Sequence, residues 1–205
     1  MMSERKEHWE AVYANKSPLE VSWYQKEPAL SLGLIENAGV GPHEAILDVG
    51  GGASLLVDRL AAAGYHHLSV LDISASALDV ARVRLGDKAG EIEWYESDIT
   101  AFNPPHAYTL WHDRAVFHFL TTLADRKRYV EILKSALRPG GHLVLGTFAL
   151  GGPTRCSGLD IVQYDATKLL TELGEGFSLE EERSELHITP AAREQKFAFF
   201  RLVRL

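Results

Sequence analysis

Short apolar runs alternate with amphipathic segments through the middle of the chain. Five apolar runs predict buried strands, and three segments with apolar residues at helical spacing predict helices between them. The predicted strands are residues 45–49, 67–71, 92–95, 108–111 and 142–148, and the predicted helices are residues 54–63, 74–85 and 125–137. Strands that alternate with helices over short connections form a parallel sheet with helices on both of its faces.

The pattern changes after the fifth predicted strand. Residues 164–173 predict a helix, and residues 177–188 and 195–205 predict two long strands joined by Thr189 and Pro190. Adjacent strands of this kind predict an antiparallel hairpin. The fold class predicted for the chain is therefore α/β, with a single doubly wound, seven-stranded sheet. That sheet is expected to be mostly parallel, with the C-terminal hairpin at its edge.

Two helices are predicted before the first strand, at residues 4–14 and from Pro28 to about residue 37. We therefore expect residues 1–40 to form an N-terminal helical segment and residues 41–205 to form one globular unit. A chain of 205 residues is long enough for a single domain with a sizeable core.

Composition and charge narrow the functional classes. The formal net charge of −7 argues against nucleic acid as the main partner, because phosphate binding requires a basic face. No apolar run approaches the roughly 18 residues that cross a membrane, and residues 1–7 lack the apolar core of a secretory signal. With Cys156 as the single cysteine, we expect no internal disulfide, no cysteine-based zinc site, no other metal site and a cytoplasmic location.

A glycine-rich turn follows the first predicted strand, and an acid ends the second. Gly50, Gly51 and Gly52 come directly after the first strand, and Asp72 follows about twenty residues later. Glycine lets the backbone approach a ligand closely, and an acid at the next strand tip accepts hydrogen bonds from a ribose. A dinucleotide fingerprint also needs a third glycine, where this chain has Leu55. The turn thus fits a nicotinamide dinucleotide incompletely, and S-adenosylmethionine, which has no pyrophosphate, needs no third glycine.

From about residue 8 to its end, the chain resembles the class I S-adenosylmethionine-dependent methyltransferases. The resemblance rests on the glycine motif at residues 47–54, the acid at position 72, Ser97-Asp98-Ile99 and the turn at residues 138–142. The family usually has glycine where this chain has Ser54.

The resemblance implies that Asp72 binds the ribose hydroxyls, that Ile73 lies against the adenine and that Asp98 reaches the adenine amino group. Asp48 is expected either to contact the amino group of the cofactor or to hold the amides of the glycine loop. The full set of expected cofactor-binding residues is Asp48, Gly50, Gly51, Gly52, Asp72, Ile73, Asp98, Ile99, Trp9, Tyr13 and His112.

The fourth predicted strand runs into a segment rich in histidines, charges and aromatic rings, residues 111–120. Ligands of open α/β sheets lie outside the carboxyl ends of the strands, so this segment should line the pocket near the reactive methyl group. His118 and His112 are candidate bases, and Asp113 is a candidate for orienting the nucleophile or pairing with Arg114. The alternative for His118, which stands between two phenylalanines, is a residue packed in the core.

Aromatic and polar residues elsewhere are candidates for binding the substrate. The N-terminal aromatic residues pack either against the sheet or as a lid, and the resemblance favours a lid for residues 22–25. The candidate substrate-binding residues are Trp23, Tyr24, Arg114, Phe117, Arg155 and Cys156.

The function expected from these features is that of a methyltransferase (EC 2.1.1.-). It would transfer the methyl group of S-adenosyl-L-methionine to a nucleophile on a small molecule or a protein by in-line displacement. The alternatives are a non-catalytic S-adenosylmethionine-binding protein and an NAD-dependent oxidoreductase. The chain is expected to act as a monomer or a weak homodimer.

Overall fold

A computed structural model of the chain describes residues 3–17 and 19–205. Residues 1, 2 and 18 of the predicted N-terminal segment lie outside the described residues. The helices are α1 (Glu4–Asn15), α2 (Ala29–Asn37), α3 (Leu56–Ala62), α4 (Ala75–Leu85), α5 (Leu123–Ala136) and α6 (Ala166–Leu173). The strands are β1 (Ile46–Val49), β2 (Leu68–Asp72), β3 (Glu93–Glu96), β4 (Tyr108–Arg114), β5 (Leu137–Phe148), β6 (Arg155–Cys156), β7 (Leu159–Asp160), β8 (Phe177–Ile188) and β9 (Glu194–Arg204).

Seven of these strands form one sheet in the order β3-β2-β1-β4-β5-β9-β8. Strands β1 to β5 pair in parallel, whereas β9 pairs antiparallel with both β5 and β8. The prediction of a mostly parallel, seven-stranded sheet with an antiparallel C-terminal hairpin is confirmed. Chain order reverses between β1 and β4, and the carboxyl ends of strands at such a point form the usual ligand crevice of open α/β sheets.

The sheet separates two layers of core, because neighbouring residues of a strand point to opposite faces. Leu47 of β1 packs with side chains of α5 and α6 on one face. Ile46, its neighbour, packs with side chains of α2, α3 and α4 on the other face. Helices therefore cover both faces, as the sequence predicts.

Strand β4 extends three residues beyond its predicted end at residue 111, through His112 and Asp113 to Arg114. Strand β5 begins at Leu137 and so includes residues 138–141, for which the sequence predicts a turn. These four residues form a bulge, because pairing with β4 passes directly from Leu137 to His142. The chain thus makes the predicted turn inside a strand.

The two N-terminal helices are placed differently. Helix α2 buries Leu34 and Ile35 in the core, whereas α1 has no buried residue and lies on the surface of the domain. Polar contacts hold α1 against the domain. Arg5 of α1 donates hydrogen bonds to Asp98, which follows β3, and to Asp125 of α5. A lid formed by all of residues 1–40 therefore stays a prediction. Among the described residues, no helix combines the length and apolarity needed to span a bilayer.

Candidate active site

Two adjoining clefts lie at the carboxyl ends of β1, β2 and β4. The larger has a volume of about 840 Å³ and the smaller about 570 Å³, both measured to their open mouths. Both are lined by Tyr13, Trp23, Val49, Gly50 and Arg114. A ligand with two dissimilar ends therefore has one continuous site here.

The glycine loop between the clefts needs glycine for steric reasons. Gly50 has a φ of 70°, and a Cβ atom there would lie 2.1 Å from Cγ2 of Val116. A Cβ on Gly51 would lie 2.5 Å from Oδ2 of Asp48, and one on Gly52 would lie 2.5 Å from Oδ2 of Asp72. The loop therefore packs directly against both carboxylates. Gly50 and Gly51 line the clefts, whereas Gly52 lines neither of them.

Asp72 ends β2 and lines the larger cleft beside Ile73. Its Oδ1 accepts a hydrogen bond of 2.9 Å from the amide of Ser74, the N-cap of α4. Burial raises the pKa of this carboxyl to about 7, and the charges of Asp48 and Glu10 act in the same direction. A buried carboxylate with few donors gains from hydroxyl groups that donate to it, as a pair of ribose hydroxyls would.

Asp48 lines the smaller cleft and stands at one end of a buried hydrogen-bonded relay, whose centre is His112. Nδ1 of His112 lies 2.7 Å from Oδ1 of Asp48, and Nε2 of His112 lies 2.9 Å from Oγ of Ser31. An imidazole that donates from Nδ1 to the carboxylate accepts the Ser31 hydroxyl proton at Nε2. Oδ2 of Asp48 is buried and has no hydrogen-bond partner among the described residues. His112 lines the smaller cleft with partners on both ring nitrogens, and its predicted role as a base stays a prediction.

Asp113 does not line either cleft. It is fully buried and accepts hydrogen bonds from the amides of Val116, at 2.9 Å, and Phe117, at 3.1 Å. The Tyr129 hydroxyl donates to it at 2.7 Å. Burial raises its pKa to about 6 even though these hydrogen bonds lower it. Asp113 therefore fixes the turn after β4, and its predicted catalytic role is corrected to a structural one.

Two further predicted site residues, Phe117 and His118, are also core residues. Phe117 packs against the rings of Tyr129 and Tyr164, so the predicted contact of Phe117 with substrate is corrected. The His118 ring is fully buried, 4.9 Å from the ring of Phe148. Burial lowers its pKa to about 3, and the charge of Arg114 contributes. His118 is therefore a neutral packing residue, which is the alternative already open from the sequence, and not a base at the cleft.

Asp98 and Ile99 line the larger cleft, where the resemblance to methyltransferases places the adenine. Both oxygens of Asp98 already accept hydrogen bonds, from Nη1 of Arg5 at 2.8 Å and from the amide of Thr100 at 2.9 Å. The hydroxyl of Thr100 also donates to Oδ1, at 2.8 Å, so the further lone pair of Oδ2 is the one compatible with a contact with an amino group.

An aromatic cluster closes the larger cleft from the side of α1. The Trp9 ring lies 5.7 Å from that of Trp23 and 5.1 Å from that of Phe119, and Tyr13 lies 6.2 Å from Trp23. Burial raises the pKa of Tyr13, and the nearby Asp72 raises it further. Trp9, Tyr13 and Trp23 are thus brought together at the cleft, and their role as a lid stays a prediction.

The remaining substrate candidates separate into two groups. Arg114 and Cys156 line the larger cleft, and Tyr24 lines the smaller one. Burial raises the pKa of the Cys156 thiol, which keeps it protonated at neutral pH. Arg155, by contrast, is exposed on the β6–β7 hairpin and pairs with Asp160 at 3.0 Å. The predicted substrate contact of Arg155 is therefore corrected.

Several residues on the cleft wall are missed by sequence reasoning. Phe148 ends β5, a position at which any parallel strand contributes to the crevice, so the predicted strand end is a usable signal. Gln195 and Phe197 lie near the start of β9, which reaches the same edge because it runs antiparallel to β5. Arg5 of α1 is also missed, since only the folded chain shows that this residue reaches the cleft.

A family model described as "Methyltransferase domain" matches residues 46–141. Nodulation protein S of Rhizobium tropici is 32% identical over 114 residues, which are 56% of this chain and 47% of that protein. The ubiquinone biosynthesis O-methyltransferase of Aromatoleum aromaticum is 27% identical over 131 residues, 64% of this chain and 50% of that protein. The matched part of the chain thus spans about half the length of these curated relatives.

The fold has close counterparts among solved structures. The N-methyltransferase NodS from Bradyrhizobium japonicum, in complex with S-adenosyl-L-homocysteine, superposes with a TM-score of 0.74 at 20% identity, covering 98% of this chain and 99% of that one. A structure from echinomycin biosynthesis gives 0.79 at 19% identity, covering 98% and 92%. Residues 46–141 thus match a methyltransferase domain, and the glycine loop with its two carboxylates agrees with the class I S-adenosylmethionine-dependent methyltransferases that the sequence resembles.

Proposed function

We propose that this chain transfers the methyl group of S-adenosylmethionine to a nucleophile on a small molecule. The observation that carries the proposal is the pair of joined clefts with Gly50 between them and one buried carboxylate in each. Asp72 in the larger cleft suits the ribose hydroxyls, and the unpartnered Oδ2 of Asp48 in the smaller cleft suits an ammonium group. The residues present thus fit the cofactor.

The cofactor supplies a sulfonium methyl group, which leaves a neutral thioether on transfer. The chain itself has to orient the acceptor, exclude water and favour positive charge. The rings of Trp9, Phe119, Phe148 and Phe197 enclose one end of the larger cleft, and aromatic faces attract cationic groups. This enclosed half is where we place the acceptor.

A small acceptor is favoured over a protein segment by the cover that α1 forms. Trp9 and Tyr13 of α1 line the larger cleft, and Glu10 accepts hydrogen bonds from the amides of Ala75 and Ser76 at 2.7 and 3.3 Å. Helix α1 therefore covers one side of the larger cleft, and the hydrogen bonds of Glu10 hold it there. Of the relatives named above, the O-methyltransferase of ubiquinone biosynthesis supports a small-molecule acceptor.

The nicotinamide alternative is disfavoured by the loop itself. The position of the third glycine in a dinucleotide fingerprint is Leu55, which stands immediately before α3 in this structure. A non-catalytic binder and the expected monomeric or weakly dimeric state stay open to experiment. The expected cytoplasmic location also stays a prediction.

Calorimetric titration tests the proposal. We expect S-adenosylmethionine and S-adenosylhomocysteine each to bind with a dissociation constant in the micromolar range, about −8 kcal/mol. NADH is expected not to bind. Binding of NADH alone, or of none of the three, would contradict the proposal. A matched test of turnover follows S-adenosylhomocysteine release with small amines, thiols and phenols as acceptors.

A further inference from the structure

Arg114 is the charged side chain shared by the two clefts. It ends β4 and is largely buried, so its guanidinium is held inside the site rather than in solvent. Nη1 donates a hydrogen bond of 2.8 Å to the carbonyl oxygen of Trp23. Nε and Nη2 are buried and have no hydrogen-bond partner among residues 3–17 and 19–205. A cation on the wall of both clefts therefore has two buried donors without an acceptor in the described part of the chain.

The surroundings of Arg114 fix the guanidinium without using these donors. Its Cζ lies 5.0 Å from the centre of the Phe197 ring. The nearest carboxylate oxygen, Oε2 of Glu185, lies 4.0 Å from Nη2, which is too long for a hydrogen bond. The other oxygen of Glu185 accepts a hydrogen bond of 2.9 Å from Gln25. Glu185 thus offsets part of the charge and leaves the donors unused.

The planar geometry of a guanidinium determines which kind of ligand group these two donors fit. Nε and Nη2 donate side by side along one planar edge, which matches the two oxygens of a carboxylate. On the same wall, Oε1 of Gln195 is buried and has no hydrogen-bond partner in the described part of the chain, so it can accept from a hydroxyl or an amine. The wall therefore offers a carboxylate site with a neighbouring acceptor.

We propose that the Nε–Nη2 edge of Arg114 binds a carboxylate of a molecule held in the joined clefts. This inference rests on the proposed methyltransferase function. Two molecules at the site can carry that carboxylate: the cofactor, through its methionyl end, and the methyl acceptor. Arg114 lines both clefts, so a molecule held in either cleft lies beside this side chain.

Three variants separate the possibilities. Arg114→Lys keeps the charge and one donor for the Trp23 carbonyl but loses the two-donor edge, whereas Arg114→Gln loses the charge as well. Arg155→Gln is the control, because Arg155 is an exposed arginine outside the clefts. Thermal unfolding shows which variants fold. The probes are S-adenosylhomocysteine and 5′-methylthioadenosine, which lacks the amino-acid end. Indole-3-acetate and its amide serve as acceptor-like probes, each titrated into the S-adenosylhomocysteine complex.

A cofactor carboxylate on Arg114 predicts that both Arg114 variants weaken S-adenosylhomocysteine binding at least tenfold and leave 5′-methylthioadenosine binding within twofold. An acceptor carboxylate predicts unchanged S-adenosylhomocysteine binding. The complex would then prefer indole-3-acetate over its amide at least tenfold, and Arg114→Gln would abolish this preference.

The proposal is overturned if Arg114→Lys weakens both adenosine probes equally. It is also overturned if the variants change neither adenosine probe and the wild-type complex does not prefer the acid. A wild-type protein that binds no adenosine probe contradicts the proposed function itself, which is a distinct result.

Discussion

We expect the buried charge of Asp72 to lower the stability of the folded protein, although the same carboxylate is proposed to bind the cofactor. Its side chain is only 8% exposed, and its pKa is raised from 3.8 to about 7, mainly by burial. Replacing it with asparagine keeps the shape and an oxygen for the amide of Ser74 but removes the charge. The substitution therefore separates the cost of the buried charge from the packing of the side chain.

The magnitude of this effect follows from the pKa shift. The difference between about 7 and 3.8 is about 3 units, and at 1.36 kcal/mol per unit the upper bound is about 4 kcal/mol. Because the pKa is higher in the folded state, the stabilising contribution is complete below pH 4 and is lost as the pH rises through about 7. Asp72→Asn should thus leave stability at pH 4 unchanged and raise it at pH 8 by up to about 4 kcal/mol.

Urea unfolding at pH 4 and pH 8 measures this stability change, and titration with S-adenosylhomocysteine measures function. Asp79→Asn is the control, because the Asp79 side chain is 67% exposed. Asp113, whose pKa is also raised, retains part of the pH dependence in the Asp72 variant. We expect at least tenfold weaker binding together with greater stability at pH 8. Unchanged stability refutes the buried-charge argument, and unchanged affinity refutes the ribose contact.

Four other substitutions test separate parts of the structure. Gly50→Ala should destabilise the protein by about 2–5 kcal/mol in urea unfolding, because Gly50 has a left-handed φ and an added Cβ atom would clash with Val116. Gly33→Ala is the control: Gly33 lies within α2 with open space around it, so this substitution should stabilise the protein by up to about 1 kcal/mol. His118→Leu removes a buried imidazole that has no hydrogen-bond partner among the described residues, so stability at pH 7 should hold or rise by about 1 kcal/mol, with cofactor affinity within twofold. A tenfold loss of affinity would reinstate His118 at the site. Glu10→Gln should speed hydrogen exchange of α1 while core strands stay protected, and unchanged exchange would show that Glu10 does not fasten the helix.

Elements with a strong apolar pattern are predictable from the sequence, and polar residues in buried strands are not. The sequence ends β4 near Trp111 because His112, Asp113 and Arg114 are polar. In the fold, His112 is paired with Asp48, and Asp113 with Tyr129 and two amides, so these residues continue the strand at low cost. Periodicity reports burial of apolar side chains and cannot report such long-range partners.

The residues of the candidate site also fall into two groups: those that a local sequence motif places, and those that only long-range packing places. Gly50 and Asp72 are predictable because a local strand–turn motif places them, and the structure puts both on the cleft. His118 has the residue type of a base, but only packing shows that its ring points into the core. Gln195 reaches the cleft through antiparallel pairing of β9 with β5, about fifty residues away in sequence, which no local pattern encodes.

The most direct test of the central claim is an NMR measurement on S-adenosylmethionine labelled with carbon-13 at its methyl group. Bound to the protein, this methyl group should show through-space contacts with ring protons of Phe119, Phe148 or Phe197, the aromatic end of the larger cleft. Contacts confined to Tyr24 and Leu55 in the smaller cleft, or no bound signal at saturating cofactor, would contradict the proposed site and the transfer it is proposed to perform.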